Sequence, residues 1–150
     1  MSLSARILRR TLRLLDAVAE KVLPPEKRPS HQKTGRAGED AAYFHLREMG
    51  YVMVARNYRS PRRRGEVDLI GWDDDVLCFV EVKTRSTRDV KPAEAAVDED
   101  KRRELAAMAR EYLRNLHDVR QWRFDVVSVY MDTGVRTPNI ELFKNAFSVA

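Results

Sequence analysis

Asp68, Glu81 and Lys83 fall within a single stretch, Gly65–Arg85, that reads GEVDLIGWDDDVLCFVEVKTR. Two carboxylates held side by side offer the hard oxygen ligands that Mg²⁺ prefers. An ammonium beside them can reach whatever the cation holds. Whether the three groups meet depends on the strands that carry them. Two apolar runs, Val67–Trp72 and Val76–Val82, flank the aspartates Asp73–Asp75, and that pattern predicts a β-hairpin closed by a tight acidic turn.

Side chains alternate faces along a strand, so Glu66, Asp68, Ile70 and Trp72 share one face, and Leu77, Phe79, Glu81 and Lys83 share one face of the next strand. Pairing about the turn then sets Trp72 against Leu77, Ile70 against Phe79, Asp68 against Glu81 and Glu66 against Lys83. A slip of one residue would put Asp68 and Glu66 beside Val80 and Val82, so the alternation favours the first register. That register opposes two like charges, which is unfavourable. At about 5 Å and an effective dielectric near 20 the repulsion is roughly 3 kcal/mol. Glu66 and Lys83 help as a neighbouring charge pair, and a divalent cation bridging Asp68 and Glu81 would remove the penalty. Glu-Val-Lys by itself is common at solvent-facing strand ends. An opposed Asp, a Lys at the next inward position and apolar flanks on both strands favour the metal site.

The elements that must position this hairpin follow the chain. Leu3–Leu23 reads as an amphipathic helix, with Leu3, Ile7, Leu8, Leu12, Leu15 and Val18 on one face and Arg6, Arg9, Arg13 and Glu20 opposite. Docking on the domain or a partner, lying on a membrane surface and contacting nucleic acid are its three readings. Prolines 24, 25 and 29 end it in a polar linker. The organisation is therefore a helix over 1–23, a linker over 24–33 and one domain over 34–150. Thr34 can cap the next helix, which stops at Gly50 and turns Ala42, Leu46 and Met49 inward. Glu39 sits at the edge of that stripe, either as a rim residue or as a third acid for the Asp68/Glu81 pair. Tyr51–Arg59 reads as a strand. It leads to Arg62, Arg63 and Arg64, whose place beside the acids suits phosphate binding. A second helix begins with Asp98, Glu99 and Asp100 and buries Leu105, Met108, Ala109, Tyr112, Leu113 and Leu116. Phe124–Met131 is apolar on both faces, as in a central strand reached by a helical crossover and so parallel to a neighbour. Asp132-Thr133-Gly134 turns the chain, and Ile140–Phe147 supplies a final edge strand.

The 150 residues suffice for one domain with a substantial core. A net charge of +5 is unevenly placed: residues 1–36 carry nine basic and three acidic side chains, and the rest is nearly neutral. A basic arm and local clusters suit a polyanionic partner. The lone cysteine, Cys78, has no internal disulfide partner, which fits a reducing, cytoplasmic setting. His31, His45 and His117 lack ligand spacing, so zinc chemistry is not expected. No apolar run reaches the roughly 20 residues of a transmembrane helix, and no glycine-rich phosphate loop is present.

Four blocks in order, Gly35-Arg36-Ala37-Gly38-Glu39, Arg64-Gly65-Glu66-Val67-Asp68-Leu69-Ile70, Phe79-Val80-Glu81-Val82-Lys83-Thr84-Arg85 and Arg123-Phe124-Asp125-Val126-Val127, resemble the YraN family of bacterial proteins, within the restriction-endonuclease-like superfamily marked by a PD-(D/E)xK signature. The resemblance covers about residues 34–147. It implies an α/β fold with a mixed sheet flanked by helices, in the order αβββαβ, behind the extra N-terminal helix. It implies Mg²⁺ or Mn²⁺ on Asp68, Glu81 and the main-chain carbonyl of Val82, with Lys83 positioning or deprotonating the attacking water. In the branch that resolves four-way DNA junctions a helix-borne Glu joins the site, and Glu39 matches that placement. Val67 stands where the signature has proline.

The expected chemistry is metal-dependent endonucleolytic hydrolysis of DNA phosphodiester bonds, on branched or damaged DNA, with Asp68, Glu81 and Lys83 catalytic and Glu66 accessory. Arg36, Arg62, Arg63, Arg64 and Arg85 would hold flanking phosphates. With no zinc finger, zipper or recognition helix, choice by backbone shape is favoured over base reading. The competing readings are a catalytically silent nucleic-acid-binding module acting with a protein partner of the N-terminal helix, and a scaffold or membrane-peripheral protein organised by that helix. A homodimer is also open.

Overall fold

The computed structural model describes residues 30–85, 97–131 and 136–149, with side chains from residue 34. The helix expected at Leu3–Leu23, most of the linker after it, the turn-rich segment beyond Arg85 and the turn at Asp132-Thr133-Gly134 lie outside the described residues. In chain order the elements are α1 (Ser30–Glu48), β1 (Val52–Tyr58), β2 (Val67–Asp73), β3 (Val76–Arg85), α2 (Glu99–Arg114), β4 (Gln121–Tyr130) and β5 (Asn139–Phe147). The strands form one sheet in the order β1-β2-β3-β4-β5. All neighbours are antiparallel except β3 and β4, which run parallel because α2 lies on the crossover between them. This is the expected mixed α/β sheet, with β5 as the last edge strand.

Alternation along the strands divides the core into two layers. Ile70, Leu77, Phe79, Phe124 and Val126 pack against Leu105, Met108 and Ala109 of α2 on one face. Leu69, Cys78, Val80, Val127 and Val129 pack against Ala42, Tyr43 and Leu46 of α1 on the other. Each large apolar side chain so buried contributes about 1.5–3 kcal/mol, and β3 and β4 are apolar on both faces because both are covered.

Several boundaries differ from expectation for local reasons. α1 begins at Ser30, so Thr34 lies within the helix and is not its cap. The helix closes with Gly50 N–H donating to Arg47 O and Tyr51 N–H to Leu46 O, both at 3.0 Å, a Schellman arrangement. Met49 therefore falls in the turn, is 49% exposed, and leaves its expected inward place to Tyr43. Leu116 lies past the end of α2 and is also exposed. β4 starts at Gln121, ahead of Phe124, because its pairing with β3 extends to Val76. Asp98 caps α2, its carboxylate accepting the Lys101 N–H at 2.8 Å, and Glu99 and Asp100 follow in the first turn, as their charge predicts.

A buried polar clamp ties the strands together at the hairpin-turn end of the sheet. Asp125 is fully buried on β4. It accepts Arg123 Nε–H and the Asn145 N–H, each at 2.8 Å, and the Tyr51 hydroxyl at 3.4 Å. Arg123 reaches Asp73 at 2.6 Å, and Lys144 meets the same carboxylate at 2.7 Å. Burial would raise the Asp73 pKa, but these two cations hold it below its ordinary value. Burial, followed by the Asp125 charge, pushes the neighbouring Cys78 thiol up to about 12, so it stays protonated. Asp125→Ala would leave Arg123 Nε and the Asn145 amide without their acceptor, while Arg123 keeps its pair with Asp73. The expected loss is about 1–3 kcal/mol for each donor left unsatisfied, read as a lower urea midpoint at unchanged slope.

Candidate active site

The strand register brings the two acids together. β2 and β3 pair Trp72 with Leu77, Ile70 with Phe79 and Leu69 with Val80, and the ladder ends there. Asp68 and Glu81 follow that last pair, close enough for the charge of one to act on the other. Here the strands part, and Asp68 Oδ2 accepts the Val82 N–H at 2.7 Å in place of the next backbone partner. Burial, and then the charge of Glu81, push the Asp68 carboxyl up to about 7, against the opposing effect of the Val82 hydrogen bond.

Glu39 joins Asp68 from α1, and Glu66 joins it from the start of the hairpin. Carboxylate oxygens of the three all lie within 4.8 Å of one another. Gly38 makes the approach of α1 feasible: a Cβ there would lie 1.9 Å from Thr84 Oγ1 of β3. Asn57 Nδ2 donates to Glu39 Oε2 and to Glu66 Oε1, each at 2.9 Å. Its backbone is left-handed, with φ 48°, a conformation that asparagine tolerates better than most residues. The expected Glu66–Lys83 pair is not formed. Glu66 is held by Asn57 and by Arg59 Nε at 2.5 Å, because β2 turns away from β3 before reaching it.

Lys83 turns to Glu81 instead, with Nζ 2.8 Å from Oε1. Glu81 is 5% exposed, and its Oε2 is buried without a hydrogen-bond partner. Lys101 Nζ of α2 lies 3.6 Å from that oxygen, while hydrogen-bonding Glu66 O at 3.1 Å and Glu104 Oε1 at 3.0 Å. Burial would lower the Lys101 pKa, but the charges of Glu81 and Glu104 raise it above the ordinary value. Gly65, at φ 117°, leaves room for Glu104, whose carboxyl carbon would lie 2.4 Å from a Cβ at that position.

A cleft of about 590 Å³ opens at Glu66 and Asp68, with Arg59, Arg63, Arg64, Lys101 and Glu104 on its walls; Glu39 and Glu81 do not line it. Arg62, Arg63 and Arg64 are exposed, and Arg63 also meets Glu111 at 3.6 Å. The buried Ser60 hydroxyl donates to Glu111 at 2.6 Å and accepts the Arg62 N–H at 3.0 Å, which fixes the loop's path. Arg36 is exposed on α1, one turn before Glu39. Arg85, further along β3, has Nε and Nη2 buried without hydrogen-bond partners. Sequence reasoning missed Lys101, Asn57, Glu104 and Arg59. A lysine in the acidic first turn of a helix, where the dipole disfavours it, was the one signal available for Lys101.

The clustered carboxylates of Glu39, Glu66 and Asp68 suit a hard divalent cation, and Glu81, outside that cluster, carries a buried carboxylate oxygen with no hydrogen-bond partner. Sheet order, hairpin and acid placement define a restriction-endonuclease-like α/β core. Residues 38–129 match the family model described as "Uncharacterised protein family UPF0102". The chain belongs to the UPF0102 family, the YraN family that its sequence blocks resemble. It is 52% identical over 136 residues to a UPF0102 protein of Koribacter versatilis, spanning 91% of each chain. With a relative from Solibacter usitatus it shares 48% over 114 residues, 75% of this chain and 84% of the other. With one from Chlorobaculum tepidum it shares 40% over 125 residues, 79% and 94% respectively.

Because Asp68 binds its proton more tightly when folded, between pH 3.8 and about 7 the folded state holds a proton that the unfolded chain has released. Stability from this group is thus present at low pH and lost as pH rises through that window. Asp68→Asn should raise the melting temperature relative to the parent at pH 8, with the advantage shrinking toward pH 4. An advantage independent of pH, in melts followed by circular dichroism, would contradict the assignment.

Proposed function

We propose that this chain is a Mg²⁺- or Mn²⁺-dependent endodeoxyribonuclease. The observation that supports the reading best is half-buried Asp68, grouped with Glu39 and Glu66 and acted on by the charge of buried Glu81, on the wall of an arginine-lined cleft. In this reading Asp68, Glu81 and the Val82 carbonyl hold the cation, and Glu39 and Glu66 stand next to them. The bound cation would polarise the scissile phosphate and lower the pKa of the attacking water. Lys83, already aligned on Glu81, offsets charge that develops on the phosphate. Arg62, Arg63, Arg64, Arg36 and Arg85 hold flanking phosphates, which carry position and no sequence. Substrate choice then rests on backbone shape, as for branched or damaged DNA. Among the described residues no helix is long and apolar enough to cross a membrane.

One observation favours the second reading, a nucleic-acid-binding module that no longer cleaves: two lysines already neutralise Glu81. Nicking of single-stranded, duplex, flapped and junction DNA in Mg²⁺ and in Mn²⁺ separates the two. Asp68→Asn and Lys83→Ala should each lower the cleavage rate by about 10²-fold or more, while retaining most DNA binding. Cleavage that survives Asp68→Asn unchanged would end the nuclease reading. Binding by the parent protein with no cleavage in either metal would establish the module.

A further inference from the structure

Lys101 lies where a lysine is electrostatically misplaced. It follows Glu99 and Asp100 in the first turn of α2, where the helix dipole favours anions, and its side chain is only 25% exposed. Yet it is firmly held. An ammonium has three donors, and two of them go to Glu66 O at 3.1 Å and Glu104 Oε1 at 3.0 Å. Gly65 admits the Glu104 carboxylate against the hairpin backbone, so this anchor is built into the fold. The third partner is not reached. Glu81 Oε2 sits 3.6 Å away, too far for a hydrogen bond, and has no other hydrogen-bond partner. Lys83, by contrast, bonds Oε1 of the same carboxylate at 2.8 Å. Glu81 thus has one oxygen committed to a lysine and one merely screened by another, and the screening lysine lines the cleft.

We propose that Lys101 is a phosphate-positioning residue that doubles as the counter-charge of Glu81 in the ion-free protein: it yields Glu81 Oε2 to a divalent cation and donates its third hydrogen bond to a phosphate oxygen of the nucleic acid. This rests on the nuclease reading, since it takes the cation to lie on Asp68 and Glu81. Lys101 and Lys83 then bracket the same carboxylate from α2 and β3. Glu104 keeps Lys101 from collapsing onto Glu81, which leaves Oε2 open to exchange.

The test uses the full chain and Mn²⁺ alone, titrated calorimetrically, with melts in the presence and absence of Mn²⁺. Removing one positive charge from beside a divalent ion should tighten its binding by about tenfold even at high dielectric. Lys101→Met should therefore bind Mn²⁺ more tightly than the parent and gain more thermal stability from it. It should also bind a short fluorescent duplex several-fold more weakly in Ca²⁺, and Lys101→Arg should restore both properties. A lysine needed only for folding would lose Mn²⁺ affinity along with stability, and that result, or an unchanged affinity, would overturn the proposal. If Lys101→Met does not fold, Glu104→Gln carries the opposite sign: the released lysine closes on Glu81, so Mn²⁺ binding weakens, and unchanged binding would overturn the proposal. Absence of Mn²⁺ uptake by the parent protein would overturn the nuclease reading together with it. Uptake by the parent without the expected change in the variants would remove only the role of Lys101.

Discussion

One backbone hydrogen bond that the sheet gives up shapes the whole site. Where β2 leaves β3 after the Leu69–Val80 pair, the next amide of β3 is answered by the Asp68 side chain and not by a neighbouring strand. The exchange leaves no donor unsatisfied, yet it draws a carboxylate into the sheet margin beside a second one, Glu81. Burial raises the electrostatic cost of both. Every other polar residue nearby bears on that cost. Lys83 and Lys101 approach Glu81, Asn57 bridges Glu39 and Glu66, Arg59 pairs with Glu66 and Glu104 with Lys101.

The two ends of the sheet treat buried charge in opposite ways. At the hairpin-turn end Asp125 is surrounded by donors, and the network closes through Arg123, Asp73 and Lys144. Those contacts make the charge a structural fastener. At the other end Glu39, Glu66 and Asp68 each hold a donor, but Glu81 Oε2 has no hydrogen-bond partner. The first cluster closes its hydrogen bonds, whereas the second keeps one buried carboxylate oxygen without a donor.

The hairpin was legible in the sequence because period-two alternation and the three aspartates admit one register that keeps Ile70 and Phe79 on a common face. Helix α2 and strand β4 were legible from their apolar stripes. Glu39 was legible only as a choice between rim and site, since helical periodicity gives an angle and no distance. Its distance from Asp68 follows from Gly38 against Thr84, a contact between elements far apart in sequence. Lys101, Asn57 and Glu104 were out of reach for the same reason: their roles come from how α2 and β1 lie over the hairpin, and no local pattern encodes that. The Glu66–Lys83 pair failed because a register extrapolated past the end of its ladder ignores the divergence of the strands. Thr34 failed as a cap because the helix begins about one turn earlier, at Ser30.

The missing side chain at Gly38 acts as a spacer of zero thickness between α1 and the sheet. Helix and strand meet there through the Thr84 side chain, so the placement of Glu39, one residue away, depends on how closely α1 lies on β3. The acidic cluster is consequently adjustable from outside: an added methyl group that touches no acid and no lysine would act as a wedge, lifting the helix and opening the cluster from behind.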